Sequence, residues 1–560
     1  MKRDLIKLSE GIYDLVIIGG GIYGACVAWD ASRRGLSVAL LEKSDFGQAT
    51  SFNSQKIIHG GLRYLQHADF KRMRESIGAR RRLMRIAPHL IHLLPCIMPT
   101  YGHLLQGKEI MRIALMINDL IGLDRNDYID PQSYISRGRI VSRAECLRVF
   151  PGLWEAGLNG GALWYDSQAY NSERLLLSFL HSAVQAGAEL ANYVEVTGFI
   201  WEGGRIAGVK AQDVLGGDHF QVRGKIVVNT SGPWINQVLS LLGRPHKTPP
   251  MRLAKVLVLL TRPIVGEYAL GVWSGQRYLD EDAPINKGSR LFFITPWHKY
   301  NLVGTTEQPY EGSVDHCRPT EGEIQDLINQ VNRAYPGAHL RREDVLFFYT
   351  GLLPRRDKNQ NEGQVQIAKH YRLIDHYALD GIEGLLSVIG VKLTTVTDVA
   401  RKAVDMVFRK LGKVPSPDLN SATPLWGSRA EVGWFKDYLA TTLRKRPSAL
   451  DEEVVRHLVH NYGTEDERVM RYAEGNSAWL TRVTKGSPVI WAEIVHAIRD
   501  EMAQKLSDVI LRRTELGEGG SPGDECLAAC AQMMAKEKGW DRLKTEKEID
   551  EVKAIYKPAQ

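Results

Sequence analysis

The sequence predicts an α/β protein carrying an additional α-helical domain toward its C-terminal end. Three observations lead there. The segment "YDLVIIGGGIYGACVAWDASRRGLSVALLEK" reads as strand, glycine turn, helix, strand. Short strands alternating with glycine turns recur from about residue 194 to about residue 348. After Pro424 the pattern turns helical and charged, with no convincing strand.

Taken in order, Leu15 to Ile18 form a short continuous apolar run, as a buried parallel strand requires. Gly21 to Arg34 follow with Ala25, Ala28, Trp29 and Ala31 at helical spacing; Gly35 stops that helix, and "SVALLE" is the next strand. The result is a Rossmann-type βαβ unit. Phe70 to Ala87 form a basic helix whose simplest reading is a solvated face, and Glu109 to Leu123 a mostly apolar one. A strand and a helix follow between Gly160 and Ala188. "EVTGFIWEGGRIAGVKAQDVLGGDHFQVRGKIVVNTSGPW" is a β-meander, and "AKVLVLLT", "SRLFFITPW" and "NLVGTT" supply further strands. Proline, serine and asparagine concentrate between Pro415 and Pro424, a boundary signal. The expected organisation is therefore a region 12–415 followed by a helical domain 423–555. Within the first, Rossmann-type dinucleotide-binding parts (about 12–100, 160–250 and 350–412) interleave with an antiparallel substrate-binding sheet (about 250–350).

Bulk numbers narrow the function. A chain of 560 residues exceeds one compact core, since domains average ~150 residues. With 44% hydrophobic and 24% charged residues it is a globular protein, not a disordered one. A formal charge of +7 is no nucleic-acid signature; it suits weak attraction to anionic substrates or an anionic lipid surface. The six cysteines are scattered apart from Cys526 and Cys530, whose helical spacing does not favour a disulfide. Without a CxxC pair, no metal is expected. These features point to a cytoplasmic protein. "MKRDLIKLSEGIYD" does not read as a signal peptide, and no run reaches the ~18 apolar residues of a membrane span.

The chemistry begins at Gly19-x-Gly21-x-x-Gly24. Gly19 permits the tight turn, Gly21 lets a pyrophosphate approach the backbone, and Gly24 lets helix and strand pack closely. Glu42 ends the second strand, where an acid accepts ribose hydroxyls. The motif alone fits NAD or FAD. FAD is favoured by its N-terminal position and by the polar stretch "SDFGQATSFNSQK" behind it, which suits an extended dinucleotide and contains Thr50, Ser51 and Lys56. "KIVVNTSGPW" is an apolar strand ending at Ser231 and Gly232, able to return the chain to the cofactor at the edge of the same sheet.

A second feature is "KIIHGGLRYLQH", which sets His59, Arg63 and Tyr64 around a glycine pair in an apolar frame. Together with "VVNTSGPW", "LVGTTE", "GVKLTT" and "AEIVHAIRDEMAQKLSDVILRRTELG", it resembles the FAD-dependent, aerobic respiratory glycerol-3-phosphate dehydrogenases from residue 14 to beyond 515. The resemblance implies oxidation of sn-glycerol 3-phosphate to dihydroxyacetone phosphate, with electrons passed to a membrane quinone. It implies His59 as base, with Arg63, Tyr64, Thr305 and Lys392 in the substrate pocket and Leu393 and Thr394 at the cofactor. A histidine suits removal of a hydroxyl proton, and arginine and lysine suit a phosphate and a developing alkoxide. Two departures matter: where the family carries an arginine for the phosphate in G-x-R-P, this chain has Leu353, with Arg355 or Arg356 as the expected replacement, and Val391 stands at the second glycine of G-G-K-L-T-T, a mild change that keeps Lys392 in place. Another polyol or hydroxy compound as substrate, or a non-catalytic flavin-bound binding protein, are the alternatives. Peripheral attachment at the inner face of the cytoplasmic membrane is expected through the basic helix around Lys71 to Arg85 and the apolar segment Ile110 to Leu123. A homo-oligomer is the expected assembly.

Overall fold

The computed structural model describes residues 1–102, 107–277, 289–356, 365–415, 423–429 and 433–559. Its first sheet is built around strand Ile12–Ile18, buried at every position after the first. That strand lies between Val38–Leu41 and His219–Asn229, parallel to both. Glu189–Ala191 and Leu385–Ile389 extend the parallel array outward, and Arg372–Asp375 closes one edge in antiparallel sense. Successive side chains of a strand point to opposite faces. Leu15 and Ile17 therefore join one core with helices Ile22–Arg33, Ser172–Gln185 and Val396–Lys410. Val16 and Ile18 join another, roofed by the antiparallel strands Val194–Glu202 and Arg205–Asp213. Covering both faces explains why these strands read as continuous apolar runs.

The "KIVVNTSGPW" strand is central rather than at the edge. His219 to Arg223 pair with Arg205–Asp213, and Val227 to Asn229 pair with Leu385–Ile389 while Ile12–Ile18 takes the other side. Its fully buried Ile226, Val227 and Val228 suit a central position.

The second sheet has nine strands and is mixed, not purely antiparallel. Val345–Pro354, Leu253–Thr261, Tyr300–Tyr310, Ser289–Trp297 and Ala269–Arg277 form the expected antiparallel half. Ala269–Arg277 then pairs in parallel with Ile91–Tyr101, which runs antiparallel to Leu158–Ala169. Pro95 and Pro99 blunt the strand signal of Ile91–Tyr101, because proline cannot donate to a ladder. Two short strands, Ile57–Ile58 and Arg139–Val141, complete the sheet against Leu158–Ala169. Helix Glu321–Ala334, opened by a Thr320–Glu323 capping box, packs on one face.

Residues 433–559 fold into helices from Phe435–Arg444 to Arg542–Ile555. The "RRT" segment fastens them to the first sheet. Arg513 makes a bidentate pair with buried Asp45 (2.7 and 2.8 Å), and Arg512 reaches the same carboxylate at 2.6 Å. Tyr193 donates to Asp508 at 2.8 Å, and Arg174 pairs with Glu501 at 2.7 Å. Removing one partner from so buried a pair costs ~3–5 kcal/mol, so this motif holds the two regions together. The stretch 416–422, where the sequence suggests a boundary, lies outside the described residues. All six cysteines are free. Among the described residues no helix is long and apolar enough to cross a membrane.

Candidate active site

The parallel strands converge on a cavity of about 1140 Å³ that runs from Glu42 past Gly21 and Thr394 to Arg63 and Ile110. At its inner end, Gly19 adopts φ 103° and Gly21 caps helix Ile22–Arg33. A Cβ on Gly24 would lie 1.9 Å from the Gly19 carbonyl oxygen, and one on Gly19 would lie 2.9 Å from that of Thr230. Gly21 is different: a Cβ there would meet only Ser51 Oγ, at 3.2 Å. The space beside it is open to a pyrophosphate. Glu42 Oε2 accepts from Gly20 N–H at 2.7 Å and Oε1 from Ser44 N–H at 2.9 Å. Each oxygen keeps a further lone pair for a ribose hydroxyl. Burial pushes this carboxyl above its usual range, opposed by the two N–H groups.

The polar stretch wraps the same cavity. Ser51 Oγ accepts from Ile22 N–H at 2.9 Å, and Thr50 Oγ1 donates to the Leu352 carbonyl at 2.9 Å, tying the loop to the second sheet. Ser231 and Gly232 line the opposite wall. Tyr23, unremarked in the sequence, donates to the Lys392 carbonyl at 2.8 Å and fills the space a Gly390 side chain would need. Burial raises its phenol to about 12, keeping it a neutral donor. The glycine turn, the Glu42 acceptor and the clearance at Gly21 together fit an extended flavin dinucleotide.

The outer end holds the "HGGLRY" segment. Strand Ile57–Ile58 delivers His59, Gly61 turns the chain with φ 94°, and the 3₁₀ helix Leu62–His67 carries Arg63 and Tyr64. Gly60 is required by its neighbours: a Cβ there would lie 2.4 Å from Arg80 Nη1 and 2.9 Å from Asp166 Oδ1. His59 Nδ1 lies 3.7 Å from Asp166 Oδ2, and the His59 ring is 42% exposed toward the cavity. Asp166 also accepts from the Gly60 N–H and from Trp164 Nε1 at 3.1 Å, and faces Arg80 at 3.4 Å. Burial alone would raise this carboxyl; His59, Arg80 and the Gly60 N–H outweigh it and hold it below its usual range.

Lys392 approaches from the segment after strand Leu385–Ile389. Its ammonium donates to the Tyr64 hydroxyl and to Ser76 Oγ at 3.3 Å. Burial would raise the Tyr64 phenol, but Lys392 and Arg72 reverse that and lower it. Thr394 Oγ1 accepts from His59 N–H at 3.0 Å, joining the two segments. Leu393, Thr305 and Arg63 also line the cavity, Arg63 at its exposed mouth.

Two expected residues direct their charges away from the cavity, although Lys56 still lines it. Lys56 is buried with its ammonium on Glu173 (2.7 Å) and Ser172 (2.9 Å), because the chain turns there at φ 57° and directs the side chain into the core. Its charge is not available to a cofactor. Arg355 follows the last residue of strand Val345–Pro354, lies 3.8 Å from Glu311 and is absent from the cavity wall. The cation that does line the wall near Leu353 is Lys369, with Nζ 3.0 Å from His67 Nε2. Asp166 and Lys369 are the functional candidates that sequence reasoning missed. A lone acid inside the apolar "GALWYDSQAY" is a signal that could have found Asp166; Lys369 carries none.

The chain matches the FAD dependent oxidoreductase family over residues 14–391 and the C-terminal domain of alpha-glycerophosphate oxidase over residues 421–545. A glycerol-3-phosphate dehydrogenase of Synechocystis sp. is 32% identical over 561 residues, which cover 98% of this chain and 97% of that protein. The mitochondrial glycerol-3-phosphate dehydrogenase of Mus musculus is 29% identical, over 96% of this chain and 72% of its own length. The solved structure of the glycerol-3-phosphate dehydrogenase from Bacillus halodurans, complexed with FAD, shares the fold: TM-score 0.75, 24% identity, 98% of this chain and 95% of that one. The cofactor is FAD, and the chain belongs to the FAD-dependent glycerol-3-phosphate dehydrogenase family.

Proposed function

We propose that this protein oxidises sn-glycerol 3-phosphate to dihydroxyacetone phosphate and delivers the electrons to a membrane quinone. The observation that carries the reading is the meeting of the His59–Asp166 pair and the Lys392–Tyr64 pair on one cavity wall beyond the dinucleotide turn. His59 accepts the hydroxyl proton of the carbon to be oxidised, and Asp166 holds its Nδ1 so that Nε2 faces the substrate. Lys392 stabilises the alkoxide as it develops. The flavin, when bound, takes up the hydride. Arg63 and Lys369 supply positive charge for the phosphate, offsetting the apolar side chain of Leu353 on the same wall.

The helix Lys108–Ile121 supports a lipid-facing exit for the electrons. It buries only Met111 and Leu115, lines the cavity with Ile110, Ala114 and Ile117, and exposes Ile113, Met116 and Leu120. Such a face seats in the interface of a bilayer without spanning it. The helix Phe70–Ile86 plays a lesser part, since it buries eight of its residues and commits Arg74 and Arg81 to Asp124. Turnover with a short-chain quinone tests the proposal: quinol and dihydroxyacetone phosphate should appear in equal amounts. Hydrogen peroxide formed in place of quinol would make the protein an oxidase.

A further inference from the structure

Outside the active site, a group of buried acids lies where the C-terminal helices meet the second sheet. Glu173, Glu493, Glu515 and Glu518 are all less than one-tenth exposed at the side chain or residue level. Two cations serve them. Lys56 is taken by Glu173 at 2.7 Å. His457 lies between Glu493 at 2.9 Å and Glu515 at 3.2 Å. Among the described residues Glu518 has one hydrogen-bond donor, Asn171 Nδ2 at 3.3 Å.

His298 stands opposite. It occupies the two-residue turn between strands Ser289–Trp297 and Tyr300–Tyr310. Its Nε2 is 2.8 Å from the Tyr170 carbonyl oxygen. A carbonyl only accepts, so Nε2 carries a proton, and in the neutral ring the Nδ1 lone pair points at Glu515 Oε2, 3.7 Å away. Two acceptors facing each other call for a proton or a cation between them. A backbone carbonyl fixing the far nitrogen is also the arrangement that orients metal-binding histidines. Ligand atoms of His298, Glu515 and Glu518 all lie within 4.8 Å of one another.

We propose that His298, Glu515 and Glu518 form a binding site for one divalent first-row metal ion, of the zinc or manganese class, that fastens the substrate sheet to the C-terminal helices. One imidazole and two carboxylates are a donor set for such ions. A second triad, His181, His496 and Glu501, has similar spacing but is excluded on charge. There Glu501 pairs with the Arg174 guanidinium at 2.7 Å, a permanent charge, whereas the group paired with Glu515 is an imidazole and no lysine or arginine pairs with Glu515 or Glu518 among the described residues.

Chain spacing hides the site, since its ligands come from a hairpin turn and from a loop more than two hundred residues later. The test is equilibrium dialysis of the chelator-stripped full chain against zinc chloride and, separately, manganese chloride, followed by metal analysis and thermal unfolding. A single tightly held equivalent is expected, with proton release on binding and a raised unfolding midpoint. Glu518→Gln and His298→Asn should each lower affinity at least tenfold, the asparagine chosen because the turn holds φ 51° at this position. Folding of each variant is checked by its flavin content. Absence of stoichiometric binding to wild type, or binding that both variants retain, would overturn the site.

Discussion

Asp166→Asn isolates the charge that orients His59. Asparagine keeps an oxygen for the Gly60 N–H and nearly the same volume, but loses the negative charge. At the observed 3.7 Å separation, the His59⁺–Asp166⁻ attraction is ~1 kcal/mol at the dielectric of water and ~4.5 kcal/mol at an effective value of 20. The His59 ring is 42% exposed, so the effect belongs in the lower half of that range, about 2 kcal/mol. Since ~1.4 kcal/mol is tenfold in rate, flavin reduction should slow about 30-fold. His59→Ala removes the base itself and should cost ~10²–10⁴-fold. The two effects should not add: in a His59→Ala background, Asp166→Asn should slow reduction little further. Stopped-flow flavin bleaching under anaerobic conditions, on variants with full flavin content, gives all three numbers. Additive losses, or an Asp166→Asn rate equal to wild type, would refute the orienting role. Arg80 provides an internal check. It faces only this carboxylate at salt-bridge distance among the described residues, so Asp166→Asn should also lower stability, whatever its effect on rate.

Gly24→Ala should yield colourless protein, because its Cβ would lie 1.9 Å from the Gly19 carbonyl and spread the turn; normal flavin content would contradict the packing assigned there. Lys369→Ala should raise KM for glycerol 3-phosphate ~10-fold or more with a smaller effect on kcat, and Leu353→Arg should restore binding in that background, both read by steady-state kinetics. Leu120→Lys combined with Met116→Lys should abolish sedimentation with anionic vesicles, while raised salt should only weaken it in wild type. Acid should loosen the seam between the first region and the C-terminal helices, where His89 meets Ser428 and His181 stacks on Trp426. Burial lowers His89 to about 3 and His181 and His460 to about 4. With folded values depressed, the unfolded chain binds more protons below pH ~6.5, so stability is full above that value and is lost as pH falls toward 4, by up to ~4 kcal/mol per pH unit for three groups. His457 and His496 are raised and titrate in the opposite sense, stabilising below ~6.5 and losing that contribution only above it. An unfolding midpoint unchanged between pH 7 and 5 would contradict the prediction.

The legible parts of this protein are those whose physics is local. Strand Ile12–Ile18, the glycine turn and helix Ile22–Arg33 follow from neighbours along the chain, and so does the clearance at Gly21. His59, Arg63 and Tyr64 form one contiguous segment. The partners that give them roles are remote in sequence: Asp166 is 106 positions from Gly60, and Lys392 is 328 from Tyr64. Lys56 sits in a polar segment on the cavity wall, and the acid that takes its ammonium, Glu173, lies 117 residues away. Arg355 lies off the cavity wall for a geometric reason. It lies two residues from Leu353, the same-face spacing of a strand, but the strand ends at Pro354, and its backbone N–H turns to the Arg252 carbonyl. The mixed sheet was half hidden because a parallel pairing between Ala269–Arg277 and Ile91–Tyr101 leaves no mark in either segment.

Anaerobic mixing of the flavin-loaded protein with glycerol 3-phosphate, and in parallel with glycerol, tests the central claim most directly. The account predicts rapid bleaching of the flavin by the phosphate ester, with one dihydroxyacetone phosphate formed per flavin reduced, and little bleaching by glycerol. Bleaching by glycerol or another unphosphorylated polyol, with glycerol 3-phosphate inert, would contradict it.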